Sequence, residues 1–136
     1  MSKSNALEND ILNKLFNNTA LPWDANTSLY ISLHTGDPGE GGDQSTNEAN
    51  YTSYSRIGVL RGSSGFTVSG NQASNTAVVS FPQCTGGNNT ITHVAIGTAL
   101  SGAGQLLYSG PLAGSLAVSN LITPQFPIGS LVITED

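Results

Sequence analysis

Three side chains in this sequence have the chemistry of a nucleophile, a general base or a soft metal ligand: His34, His93 and Cys84. A cysteine beside a histidine can work as an activated thiolate, and two histidines with one cysteine can hold a catalytic zinc ion. Their setting argues against both uses. His93 lies in Thr90-Ile-Thr-His-Val-Ala-Ile96, on the same strand face as Ile91 and Ala95, which favours a packed, hydrogen-bonded ring. Cys84 follows Phe81-Pro82-Gln83 and reads as a small buried hydrophobe. Being the single cysteine, it excludes an intrachain disulfide and any multi-cysteine metal site. No catalytic residue, metal site or cofactor is assigned.

Asp37, Glu40 and Asp43 recur every three residues in a glycine-rich stretch. Such oxygen ligands suit calcium, but the twelve-residue EF-hand pattern and its closing glutamate are missing. The expectation is a solvated acidic loop, or one meeting a basic neighbour or Arg56 and Arg61. Ser101-Gly-Ala-Gly-Gln105 precedes no helical pattern, so it lacks the helix N-terminus of a phosphate cradle and reads as a hairpin turn. Trp23, Tyr51 and Tyr54 are aromatic anchors, either for the core or for an interface.

The elements that position these groups follow from periodicity. Leu7, Ile11 and Leu15, flanked by Leu12 and Phe16, predict an amphipathic helix over residues 5–16, within an N-terminal segment 1–20. Asn5 with Glu8 has capping-box spacing, and Asn17-Asn18 suits the helix end. So short a helix is marginal alone, so its stripe is expected to be buried, on its own sheet or on a neighbouring subunit. Leu29-Tyr-Ile-Ser-Leu-His34 alternates as a half-buried strand. It ends at Thr35-Gly-Asp-Pro-Gly39, where a long acidic surface loop over 35–50 begins. Further β-like runs lie near 54–61, 65–69, 76–81, 90–97, 105–109, 115–119 and 130–134, separated by Gly, Pro and Asn clusters. Strands at this spacing predict an all-β domain over 21–136: an antiparallel, jelly-roll-like β-sandwich of about eight short strands behind one N-terminal α-helix.

Composition narrows the function. The 136 residues carry a net charge of −5, with only four Lys and Arg. Nucleic acid and anionic membrane surfaces both demand clustered cations, so neither is an expected partner. No apolar run reaches the length of a membrane span, and the first ten residues lack the apolar core of a signal peptide. No heptad or collagen-like tract is present that would build a long shaft.

Several segments taken together resemble a family of small virion proteins of tailed bacteriophages, of the head-decoration and tail-fibre-like kind. They are Met1-Ser-Lys-Ser-Asn-Ala-Leu-Glu-Asn-Asp10, Leu29-Tyr-Ile-Ser-Leu-His-Thr-Gly-Asp-Pro-Gly-Glu40, Tyr51-Thr-Ser-Tyr-Ser-Arg56, Phe81-Pro-Gln-Cys-Thr-Gly-Gly87, Ile91-Thr-His-Val-Ala-Ile-Gly97 and Ile133-Thr-Glu-Asp136. The resemblance spans nearly the whole chain and brings no catalytic residues with it. It implies a non-enzymatic structural protein of the virion. One compact domain without a shaft favours a capsid decoration protein, a homo-oligomer and most simply a trimer, that braces the major capsid protein lattice. The alternative is a tail- or head-fibre component on tail or neck proteins. The expected contact residues are Leu7, Ile11, Leu15, Phe16 and Trp23, with Asp37, Glu40 and Asp43 facing Lys or Arg of the partner.

Overall fold

A computed structural model describes residues 1–136. The elements in chain order are β1 (Ser2–Lys3), α1 (Asn5–Phe16), β2 (Ser28–His34), β3 (Ile57–Leu60), β4 (Phe66–Ser69), β5 (Gln72–Asn75), β6 (Val79–Ser80), β7 (Asn89–Gly97), β8 (Leu106–Val118), β9 (Gln125–Phe126) and β10 (Val132–Thr134). Every strand pairing is antiparallel. The strands form a five-stranded sheet in the order β1-β8-β7-β2-β3, a three-stranded sheet β10-β5-β4 and a two-stranded ribbon β6-β9. The all-β, sandwich-like architecture expected from the spacing is what forms.

Alternation on β2 sets the two sides of the large sheet. Ile31 and Leu33 pair with Ile96 and Val94 of β7 and enter the apolar core. Ile133, Val79, Phe81 and Tyr51 close that core from the smaller sheet, the ribbon and the loops, with Phe66, Ala73 and Phe126 packed at its margin. Tyr51, Tyr54, Phe81 and Phe126 form a chain of ring contacts with centroids 5.4–6.4 Å apart. Tyr51 and Tyr54 thus serve the core. Ser32 and His34 point to the opposite side and are fully buried there as well.

Beyond the short strands β1 and β9, the structure departs from the sequence expectation at four points. Residues 105–109 and 115–119 belong to one strand, β8, which continues through Gly110-Pro111. Proline is tolerated because β1 pairs β8 only at Tyr108 and Ser109, so the outer side of Pro111 needs no donor. There β8 bulges, with His93 opposite Pro111 but Ile91 opposite Leu116. Such a bulge blunts an otherwise open edge. The second difference is the strand expected over 76–81, of which only Val79–Ser80 pairs, as β6. Ahead of it, residues 72–75 form a further strand that returns directly from a two-residue turn at Gly70-Asn71, with Gly70 at φ 61°. Gln72-Ala-Ser-Asn75 has no apolar alternation to announce it.

The third difference is at α1. Ser4, not Asn5, is the N-cap, and its Oγ accepts from the Leu7 N–H at 3.1 Å. Ser4 also donates its own N–H to the Leu107 carbonyl, which fixes the helix start to β8. Asn17 ends the helix and Asn18 follows at φ 52°, as expected. Fourth, the helix buries little of its stripe within this chain. Leu7 is buried and Ile11 half-buried, but Leu12, Leu15 and Phe16 are 57%, 68% and 78% exposed. The first two turns rest on the domain and the last turn overhangs it.

Candidate functional site

The 35–50 segment is the first place where the structure assembles polar groups. The expectation is a solvated acidic loop or one meeting a basic neighbour or Arg56 and Arg61, and its acids divide sharply. Asp37 and Glu40 are exposed. Asp37 accepts from the Gly39 N–H at 2.8 Å, a local turn, and Glu40 accepts from the Ser2 hydroxyl at 2.8 Å. Asp43 accepts from the Ser45 N–H at 2.8 Å and the Ser45 hydroxyl at 2.6 Å, and these bonds hold its carboxyl below the usual range. No three His, Cys, Asp or Glu side chains converge in a metal-binding group.

The rest of the segment is docked rather than solvated. Gln44 and Ala49 are buried, and Glu48 reaches into a charged knot. Arg56 donates from Nε to Glu48 Oε2 at 2.7 Å and from Nη2 to Oε1 at 2.8 Å. Its remaining donors reach the carbonyls of Ala99, at 2.9 Å, and Gly102, at 2.6 Å. Tyr54 donates to Glu48 Oε2 at 2.8 Å and accepts from the Leu33 N–H at 3.1 Å. Burial, before any charge effect, keeps that phenol protonated well above the usual tyrosine range. Gln44 adds a second latch, because its side-chain amide exchanges two hydrogen bonds with the Ala99 backbone. It fits only because Gly97 is bare: a Cβ there would sit 2.1 Å from Gln44 Cδ. The 35–50 segment and the β7–β8 turn are therefore fastened to the large sheet as one unit.

His34 lies inside this unit. Its Nδ1 faces the Thr46 carbonyl at 2.8 Å, so that nitrogen carries the proton. Nε2 then accepts from the Ser32 hydroxyl at 2.8 Å. A serine, a histidine and an orienting acceptor in line are the parts of an activated nucleophile. Here both side chains have 0% exposure, and none of the clefts described below is lined by either. The bonds instead hold β2 to the docked segment. His93 is the cross-strand neighbour of His34, bonded to the Thr92 hydroxyl. Cys84 is buried in the core cluster, which His34 and His93 do not join. The three residues weighed as one site are thus not brought together.

Burial lowers the pKa of His34 from its ordinary value of 6.5. The unfolded chain then takes up a proton at a pH where the folded chain does not. Stability is therefore complete above about pH 6.5 and declines as pH falls toward the lowered native value. Urea midpoints are expected to drop between pH 7 and pH 5, and His34→Gln is expected to flatten that dependence. A wild-type midpoint that stays constant over this range would contradict the neutral, buried ring.

Two of the surface clefts and one projection bear on the site. A polar cleft of about 420 Å³ is lined by Asp37, Glu40, His93, Ser109 and the first two residues. An apolar cleft of about 450 Å³ opens where the sheets part, between Leu29 and Ile96 on one side and Phe66, Val68 and Ile133 on the other. Arg61 and Glu135 also line it. The projection is the end of α1, braced by Trp23. The Trp23 indole donates to Asp10 at 3.1 Å, and the Arg61 guanidinium lies 5.2 Å from its ring centroid. Of the expected contact residues, Leu7 and Trp23 are engaged within the chain, whereas Leu15, Phe16, Asp37 and Glu40 face outward. What the sequence did not disclose is the latch made by Gln44, Glu48 and Arg56. Its one signal was that Arg56 is the first cation after a long acidic stretch.

No curated protein matches the chain. A family model does, over residues 2–134, which is all but the terminal residues. The outward-facing, latched scaffold thus belongs to a virion structural protein of a tailed phage, and the chain is a member of the family described as podophage GP4 fiber I protein gp80.

Proposed function

We propose that the chain is a fibre component of the phage virion and acts as a homo-oligomeric, non-enzymatic building block seated on tail or neck proteins. The observation that carries this reading is the match to a fibre-protein family along residues 2–134. It favours the fibre over the capsid decoration role that compactness alone suggested. The physical character of the surface is consistent with a building block. The polar groups with nucleophile geometry are sealed, and what faces outward includes an apolar helix end and the exposed carboxylates of Asp37 and Glu40. Those carboxylates suit Lys or Arg on the attachment protein, in a contact that weakens as salt rises.

Labelling virions with a gold-conjugated antibody against the chain, together with counting its copies by quantitative gel, tests this. A small number of copies at the tail or neck is the expected result. Labels spread over the head in hundreds of copies would replace the fibre reading with capsid decoration.

A further inference from the structure

We propose that the polar cleft under Asp37 and Glu40 is a socket for an arginine side chain of a partner protein. The proposal rests on the fibre reading above, which makes the attachment protein that partner. Strand register builds the floor of the cleft. Ser109 of β8 pairs with Ala95 of β7 and with Ser2 of β1, and His93 pairs with Pro111 further along the same two central strands. Tyr108, next to Ser109, lines the apolar cleft. Alternation along β8 therefore turns the Ser109 side chain to the other face, where it lines the polar cleft. The docked 35–50 segment supplies Asp37 and Glu40 as the wall. Ser109 is only 7% exposed, and its hydroxyl has no hydrogen-bond partner within the protein. No fully enclosed side-chain polar atom lacks a partner, so this oxygen opens on the cleft. A buried hydroxyl left unbonded carries a cost that a donor entering the cleft removes.

Charge and donor count select what that donor is. Asp37 Oδ1 accepts from the Gly39 N–H and Glu40 Oε1 from the Ser2 hydroxyl, which leaves the second oxygen of each carboxylate free. Neither carboxylate joins an ion pair, and the Met1 amine at the cleft joins none either. His93 bonds the Thr92 hydroxyl through Nδ1, and its Nε2 is unpaired. Two carboxylates repel an anion. No Phe, Tyr or Trp lines the cleft to stack on a sugar ring, and no three metal ligands converge. A cation that donates in several directions at once matches acceptors spread over floor and wall. A guanidinium has five N–H donors in a planar fork and is more weakly hydrated than an ammonium. A second copy of the chain cannot supply it. Arg56 is locked in the Glu48 knot, and Arg61 is spent on Asp24 and the Asn26 carbonyl. The arginine therefore comes from a different protein.

Titrating the isolated, nitrogen-15-labelled protein with acetyl-Gly-Arg-Gly-amide tests the socket. Saturable shifts of the Asp37, His93 and Ser109 amides are expected at peptide concentrations on the order of 10 mM, the range of a single ion-paired contact. The same peptide with citrulline, which keeps the shape and loses the charge, is expected to give none. The lysine peptide is expected to bind at least about tenfold more weakly, because a point charge cannot use the fork. Asp37→Asn and Glu40→Gln keep the local hydrogen bonds and should each weaken binding about tenfold, and Ser109→Ala about fivefold. Unchanged spectra away from the cleft show that the variants are folded. Absent shifts, shifts scattered over other acidic surface, or equal binding of the arginine and lysine peptides would overturn the proposal. So would binding unaltered in all three variants. Concentration-dependent shifts of the same amides in the protein alone, lost in Lys14→Gln, would put a second copy's ammonium in the cleft and overturn it as well. The titration uses no virion, so failure here leaves the fibre reading standing, and labels over the head would leave the socket intact.

Discussion

Arg56→Ala is expected to cost about 3–5 kcal/mol of folding stability, the usual cost of removing one partner of a buried ion pair. Arg56 is 5% exposed and Glu48 is largely shielded. Truncation leaves the Glu48 carboxylate with only the Tyr54 hydroxyl, and it strips a guanidinium donor from the carbonyls of Ala99 and Gly102. The loss should be felt locally too, since the same side chain joins the 35–50 segment to the β7–β8 turn. Hydrogen exchange is expected to accelerate in both segments before the sheet opens. Arg61→Ala is the internal control. Its pair with Asp24 spans 3.3 Å at the surface, with side chains 29% and 53% exposed. Exposed pairs contribute about 0–1 kcal/mol. Urea unfolding of the two variants decides the matter: equal, small losses would mean that Arg56 is not a buried latch.

The contrast between these two arginines shows where the sequence stops being legible. Both follow the acidic stretch and both sit next to β-like runs. Only the fold shows that one enters a closed knot while the other lies over Trp23 at the rim. Local rules served well where local forces decide. The alternation of Leu29, Ile31 and Leu33 with Ser32 and His34 assigned both faces of β2, because side chains on a strand have no other choice. The turn at Gly70-Asn71 and the helix end at Asn17-Asn18 were readable for the same reason. Long-range forces hid the rest. Gln44 looks like any polar loop residue, yet it is fully buried because Gly97, more than fifty positions away, leaves room for it. The candidate surface was half legible. The apolar residues of α1 could be named, but the apolar cleft is built from strands remote in sequence.

Two isoleucines of equal hydrophobicity make the last point measurable. Ile31→Ala is expected to cost about 2–5 kcal/mol, because it removes three carbons from the centre of the core and the surrounding sheet relaxes only in part. Ile31 has 0% exposure and sits between the large sheet and the smaller one. Ile11→Ala, on the half-buried flank of α1, is expected to cost only about 1 kcal/mol, since part of its surface is already in water. Its position in an apolar repeat looked as strong as that of Ile31. The difference lies in what each faces: Ile31 meets a second layer, whereas the outer turns of α1 meet none within the chain. Thermal unfolding of the two variants in dilute solution separates them. A loss at Ile11 as large as that at Ile31 in dilute solution would place the helix in the core and contradict its overhang.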